Sequence, residues 1–176
     1  MILKLVRTPG IYLVGFMGSG KTTVGRILAD RLGWDFVDLD AEIEAERKTT
    51  IAEIFDKCGE GYFRQLETEA IRQHVHRVRA GLPIVMALGG GAFLREENYT
   101  LLEDHGVTVW LDCPLDFARQ RVEGAAHRPL ARDPKVFADL YAARLPGYSR
   151  ADYRVEIRSH DPLEAVVAIE ALPIFR

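Results

Sequence analysis

The run Gly15-Phe16-Met17-Gly18-Ser19-Gly20-Lys21-Thr22 fits the pattern G-x-x-x-x-G-K-[ST], whose chemistry is the capture of nucleotide phosphates. Glycines let successive backbone N–H groups turn inward and form an anion cradle without side-chain clashes. Lys21 supplies a point charge for the β- and γ-phosphates, and the Thr22 hydroxyl is a hard oxygen ligand for Mg²⁺. A helix beginning at about Lys21 adds the positive end of its dipole to the same place.

Other residue groups could complete a phosphoryl-transfer site. Asp38-Leu39-Asp40 carries two carboxylates that, in a strand, would point to the same side. One could hold Mg²⁺ through water and the other orient or deprotonate an attacking hydroxyl; capping of the next helix is the plainer alternative. Gly89-Gly90-Gly91 would let a ligand approach the main chain closely, or simply form a flexible turn. Arg64, with Glu67 one turn later, and Arg144 read either as solvated surface arginines or, facing a shared crevice, as two guanidinium forks for a substrate carboxylate. Between Arg121 and Arg132, the stretch Glu123-Gly124-Ala125-Ala126-His127-Arg128-Pro129 has the character of a lid delivering a positive charge, or of an exposed loop. The five histidines have no ligand spacing and read as structural or surface residues.

The elements needed to position these groups are visible in the hydrophobic pattern. Ile11-Tyr12-Leu13-Val14 is a continuous apolar run, as a strand buried on both faces of a parallel sheet requires. Val24, Ile27, Leu28 and Leu32 follow at helical spacing, so the phosphate loop lies between strand and helix. Further strands are expected near 35–40, 84–88, 107–111 and 153–157, and Phe63 through Val78 trace one face of a long helix. Thr50-Ile51-Ala52-Glu53 has capping-box form, and Asp133-Pro134 and Asp161-Pro162 open helices with an acidic cap and an initial proline. Five strands alternating with helices predict a three-layer α/β fold over a five-stranded parallel sheet. Parallel sheets bind ligands at the carboxyl ends of their strands, where the loop, the paired aspartates and the triple glycine are all expected.

Bulk properties agree with a single domain spanning residues 1–176. A net charge of −3 gives no general attraction to nucleic acid or anionic membrane, so an anionic substrate needs a local cationic site. Cys58 and Cys113 lack metal-ligand or C-x-x-C spacing and read as two reduced thiols of a cytoplasmic protein, a disulfide between them being the alternative. The apolar stretch within residues 1–9 is too short for a signal peptide, and none approaches the roughly 20 residues that span a bilayer. A GTPase switch is the least favoured alternative, because Asn98 is the only asparagine and no N-K-x-D base-reading motif can be built around it.

From about Ile11 to about Ile169 the chain resembles the shikimate kinase family. The resemblance rests on G-F-M-G-S-G-K-T, D-L-D, F-R-Q-L-E at 63–67, G-G-G at 89–91, R-P-L at 128–130 and R-L-P-G-Y at 144–148, in that order and spacing. It implies a P-loop nucleoside-monophosphate-kinase-like fold with a phosphate loop at 15–22, a shikimate-binding region at about 38–67 and a lid at about 121–132. By position, Gly18, Ser19, Gly20, Lys21, Thr22 and Thr23 would bind ATP together with Arg121, against the adenine, and Arg128. Lys21 and Arg128 would hold the transferring phosphoryl group. Thr22 would bind Mg²⁺, with Asp38 reaching it through water. Asp40 would bind the substrate hydroxyl and is the candidate base. Arg64, Arg144 and the Gly90–Gly91 backbone would clamp shikimate. The implied protein is a monomer whose partners are shikimate and ATP. Its lid segment, Glu123 to His127, is unusually small and apolar.

Overall fold

The computed structural model describes residues 10–123 and 133–175. The five strands are β1 (Gly10–Val14), β2 (Asp35–Asp38), β3 (Ile84–Ala87), β4 (Val107–Asp112) and β5 (Tyr153–Glu156). They form one parallel sheet in the order β2-β3-β1-β4-β5, with helices on both sides. Every residue of the inner strands β1 and β3 is buried, whereas the edge strands β2 and β5 leave positions in water. This is why the inner strands read as unbroken apolar runs while the outer ones do not.

The helices are α1 (Lys21–Leu32), α2 (Leu39–Arg47), α3 (Ile51–Arg79), α4 (Glu96–Glu103), α5 (Leu115–Val122), α6 (Pro134–Tyr148) and α7 (Pro162–Glu170). Their starts follow the local signals. Thr50 Oγ1 accepts from the Glu53 N–H while Glu53 Oε2 accepts from the Thr50 N–H, a complete capping box. Asp133 and Asp161 cap α6 and α7, each ahead of an initial proline.

The structure corrects one expectation and refines another. The strand expected over 35–40 stops at Asp38, whose Oδ1 accepts from the Ala41 N–H at 3.1 Å and starts α2. Asp40 therefore lies in the first turn of a helix, and the two carboxylates are not alternate residues of one strand. A side-chain cap outcompeted strand extension at an exposed sheet edge. The long helix over 63–78 extends back to Ile51 but is interrupted at Gly59, whose φ of 81° and ψ of 167° separate the capped first turns from the segment bearing Arg64. No described helix is long and apolar enough to cross a membrane.

Adjacent strands β2, β3 and β1 bring their carboxyl ends side by side, and each end is followed by one of the candidate groups. Behind them, Thr68 Oγ1 donates to Asn98 Oδ1 at 2.8 Å and Asn98 Nδ2 donates to the Ala92 carbonyl at 2.9 Å. This buried chain fastens the turn after the triple glycine to α3 and α4.

Candidate active site

The phosphate loop runs from the end of β1 into α1, and Gly20 caps α1 in the left-handed conformation at φ 92°. Lys21 Nζ donates to the carbonyls of Gly15 at 2.8 Å and Phe16 at 3.0 Å and lies 3.4 Å from Ser19 Oγ. The amine is thus held over its own loop, with Ser19 buried beneath it. Thr22 and Thr23 are exposed on the first turn of α1. Thr22 Oγ1 donates to Asp38 Oδ2 at 2.5 Å, so the carboxylate that starts α2 also reaches the loop. Two hard oxygen donors meeting beside a phosphate cradle fit the ligand chemistry of Mg²⁺. Among the described residues there is no cluster of three or more His, Cys, Asp or Glu that could hold a metal by itself.

Opposite the loop, the triple glycine is surrounded by charged side chains. A Cβ on Gly91 would lie 2.6 Å from Arg64 Nη2, and one on Gly90 would lie 2.9 Å from Arg144 Nη1. A Cβ on Gly89 would lie 2.7 Å from Asp40 Oδ1 and 2.8 Å from Glu67 Oε1. Only a chain without side chains here lets two guanidinium groups and two carboxyl groups close around one turn. The expected residues Asp40, Arg64, Gly90, Gly91 and Arg144 are thereby brought together.

Each arginine is aimed by neighbours. Arg64 Nη1 donates to Glu67 Oε2 at 2.5 Å, and its Nη2 and Nε approach Glu60 Oε1 at 3.1 and 3.3 Å. Burial pushes the Glu67 carboxyl up to about 7, with Arg64 pulling against the rise and the Asp40 charge adding to it. Arg144 lies 5.8 Å over the Phe16 ring, which itself meets Phe137 and Tyr141 of α6 edge-on at 5.0 and 5.2 Å. This aromatic contact docks α6 on the phosphate loop and so fixes where Arg144 sits. Tyr148, also on α6, donates its hydroxyl to the Gly90 carbonyl at 2.5 Å, and burial pushes that phenol up to about 12.

On the other flank of the loop, Arg121 Nη1 donates to the Gly18 carbonyl at 3.1 Å and Nη2 to the Ser159 carbonyl at 3.3 Å. A planar cation therefore joins the loop to the segment before α7. Arg128, with 124–132 of the expected lid, falls outside the described residues. Both cysteines are free, Cys58 exposed and Cys113 buried. His74 is buried, with Nε2 2.7 and 2.9 Å from the two Glu42 carboxyl oxygens, a structural strap between α2 and α3.

Sequence reasoning assigned no role to Tyr148, Phe137, Tyr141 or the Thr68–Asn98 pair. Tyr148 stood inside the R-L-P-G-Y run, whereas the others carry no local signal because their partners are distant in sequence.

Comparisons with known proteins identify the family of the chain. A model of the shikimate kinase family matches residues 17–171. A shikimate kinase of Ruegeria pomeroyi is 44% identical over 160 residues, covering 89% of this chain and 80% of that protein. One of Persephonella marina is 40% identical over 157 residues, covering 89% and 93%. Among solved structures, shikimate kinase from Acinetobacter baumannii in complex with shikimate superposes with a TM-score of 0.85 at 36% identity, covering 96% of this chain and 94% of that one. With the family model spanning residues 17–171 and relatives 40–44% identical over 89% of its length, the chain belongs to the shikimate kinase family.

Proposed function

We propose that this chain transfers the γ-phosphate of ATP to the 3-hydroxyl of shikimate, giving shikimate 3-phosphate and ADP, a step of chorismate and aromatic amino-acid biosynthesis. The observation that carries the reading is the Gly89–Gly91 turn, flanked by Arg64, Arg144 and Asp40 at the edge of a phosphate loop. Two guanidinium groups beside one half-buried stretch of backbone free of side chains suit a compact carboxylate, and a nearby carboxylate suits its hydroxyl.

In this reading residues 1–176 form one kinase unit, with ATP on Gly18 to Thr23 and shikimate on the 38–67 region and the glycine turn. Arg64 and Arg144 hold the carboxylate, the Gly90–Gly91 backbone supports the ring, and Asp40 receives the proton of the attacking hydroxyl. The hydroxyl oxygen bonds to the γ-phosphorus as the bond from that phosphorus to the bridging oxygen of ADP breaks. Lys21, with Arg128 from the lid at about 121–132, neutralises charge on the transferring group. Arg121 stacks beside the adenine. Thr22 and Asp38 would hold Mg²⁺, which when bound neutralises phosphate charge. Positioning and preorganised charge supply most of the acceleration, since phosphoryl transfer asks little covalent chemistry of a protein. Every group named belongs to one chain, which supports a monomer, and ATP use by a protein with two free thiols fits the cytoplasm.

The test is ADP release from Mg·ATP with shikimate and, separately, with gluconate. Shikimate-dependent release that Lys21→Ala abolishes is the expected outcome; turnover with gluconate alone would overturn the substrate assignment.

A further inference from the structure

Glu67 is only 1% exposed, yet half of its carboxyl group is unsatisfied. Oε2 accepts from Arg64, whereas Oε1 has no hydrogen-bond partner among the described residues. Oε1 points to the place beside Gly89 that Asp40 Oδ1 approaches from α2. The charged groups facing it are Arg64 from its own helix, Asp40 from α2 and Arg95 from the segment leading into α4. On the far side of Arg64 stands Glu60, whose side chain is 64% exposed and screened by water.

Arg64 therefore already serves two carboxyl groups before any ligand arrives. A substrate carboxylate docking on Arg64 adds a further negative charge next to a buried carboxyl that water cannot screen. Like charge disfavours ionisation, and a proton on Glu67 is the direct relief.

Building on the reading of Arg64 as a carboxylate clamp, we propose that Glu67 is a proton-linked positioning residue, which takes up a solvent proton when the acidic substrate binds. In its neutral form Glu67 keeps Arg64 aimed along Gly91 without competing for the guanidinium charge. The proton returns to solvent when the phosphorylated product leaves. Burial already holds the carboxyl near neutrality, so the uptake requires little free energy at physiological pH.

The experiment is calorimetric titration of the full chain with shikimate in buffers of differing ionisation enthalpy. At pH 7.5 the native chain should take up roughly half a proton or more per site, the uptake fading below about pH 6, where the carboxyl is protonated beforehand. Correspondingly, its KM for shikimate should rise with pH above about 7. Glu67→Gln should bind with no uptake and a KM that no longer follows pH in this range. Native binding without proton uptake, or uptake that persists in Glu67→Gln, would overturn the inference while leaving the substrate assignment intact. Failure of the native chain to bind shikimate at any pH would overturn both.

Discussion

The hydroxyl of Tyr148 donates to the carbonyl of Gly90 at 2.5 Å, tying the end of α6 to the turn that follows β3. The bond links the helix that carries Arg144 to the backbone beside which Arg144 lies. Tyr148→Phe removes the donor and leaves a half-buried carbonyl short of a partner, a cost of about 1 kcal/mol. The expected result is a KM for shikimate raised by roughly tenfold, with kcat changed by less. Steady-state kinetics at saturating ATP checks this, and an unchanged KM would separate Tyr148 from the substrate side.

Gly91 lies against the Arg64 guanidinium, while its own angles, φ −104° and ψ −13°, suit alanine. Gly91→Ala should therefore fold normally, since the clash falls on the end of a long side chain rather than on backbone. Displacing Arg64 should raise the KM for shikimate at least tenfold, on the order of 1.4 kcal/mol of lost binding. Thermal melting alongside kinetics tests the pair of claims; a large drop in Tm with an unaltered KM would reverse the interpretation.

Asp38 has two tasks, capping α2 through Oδ1 and meeting Thr22 through Oδ2. Asparagine caps nearly as well as aspartate, so Asp38→Asn should cost little stability. Its loss of charge should raise the Mg²⁺ concentration needed for half-maximal activity by roughly tenfold or more. A magnesium titration of the variant is the check, and native-like metal dependence would remove Asp38 from the metal site.

The Glu67 carboxyl also has a signature in stability. Its folded value of about 7 lies above the ordinary 4.5, so the folded state binds the proton more tightly than the unfolded state. The stabilisation is fully present below about pH 4.5 and is lost as pH rises through about 7. Denaturant midpoints measured from pH 5 to 8 should show this decline, and Glu67→Gln should flatten it.

Legibility in the sequence followed the range of the interactions. The phosphate loop, the capping box at Thr50 and the acidic caps with proline at Asp133 and Asp161 are local, and each appears in the structure where the residues put it. Asp38 and Asp40 show where local reading fails. An alternating pattern suggested one strand, but a single side-chain hydrogen bond to Ala41 begins a helix two residues earlier. The edge-on contacts of Phe16 with Phe137 and Tyr141, and the Asn98 bridge to Thr68 and Ala92, join residues far apart in the chain. Nothing in the spacing of those residues announces their partners. The triple glycine was legible as a place of close approach, but which side chains approach it depends on how α2, α3 and α6 are docked.

The central claim is that Arg64 and Arg144 hold the substrate carboxylate across the Gly90–Gly91 turn, beside the bound nucleotide. The most direct measurement is kcat/KM for shikimate and KM for ATP in Arg64→Ala and Arg144→Ala. Each substitution should lower kcat/KM for shikimate by roughly 10²-fold or more, chiefly through KM, with the KM for ATP within about threefold of native. A native-like KM for shikimate in either variant would contradict the account.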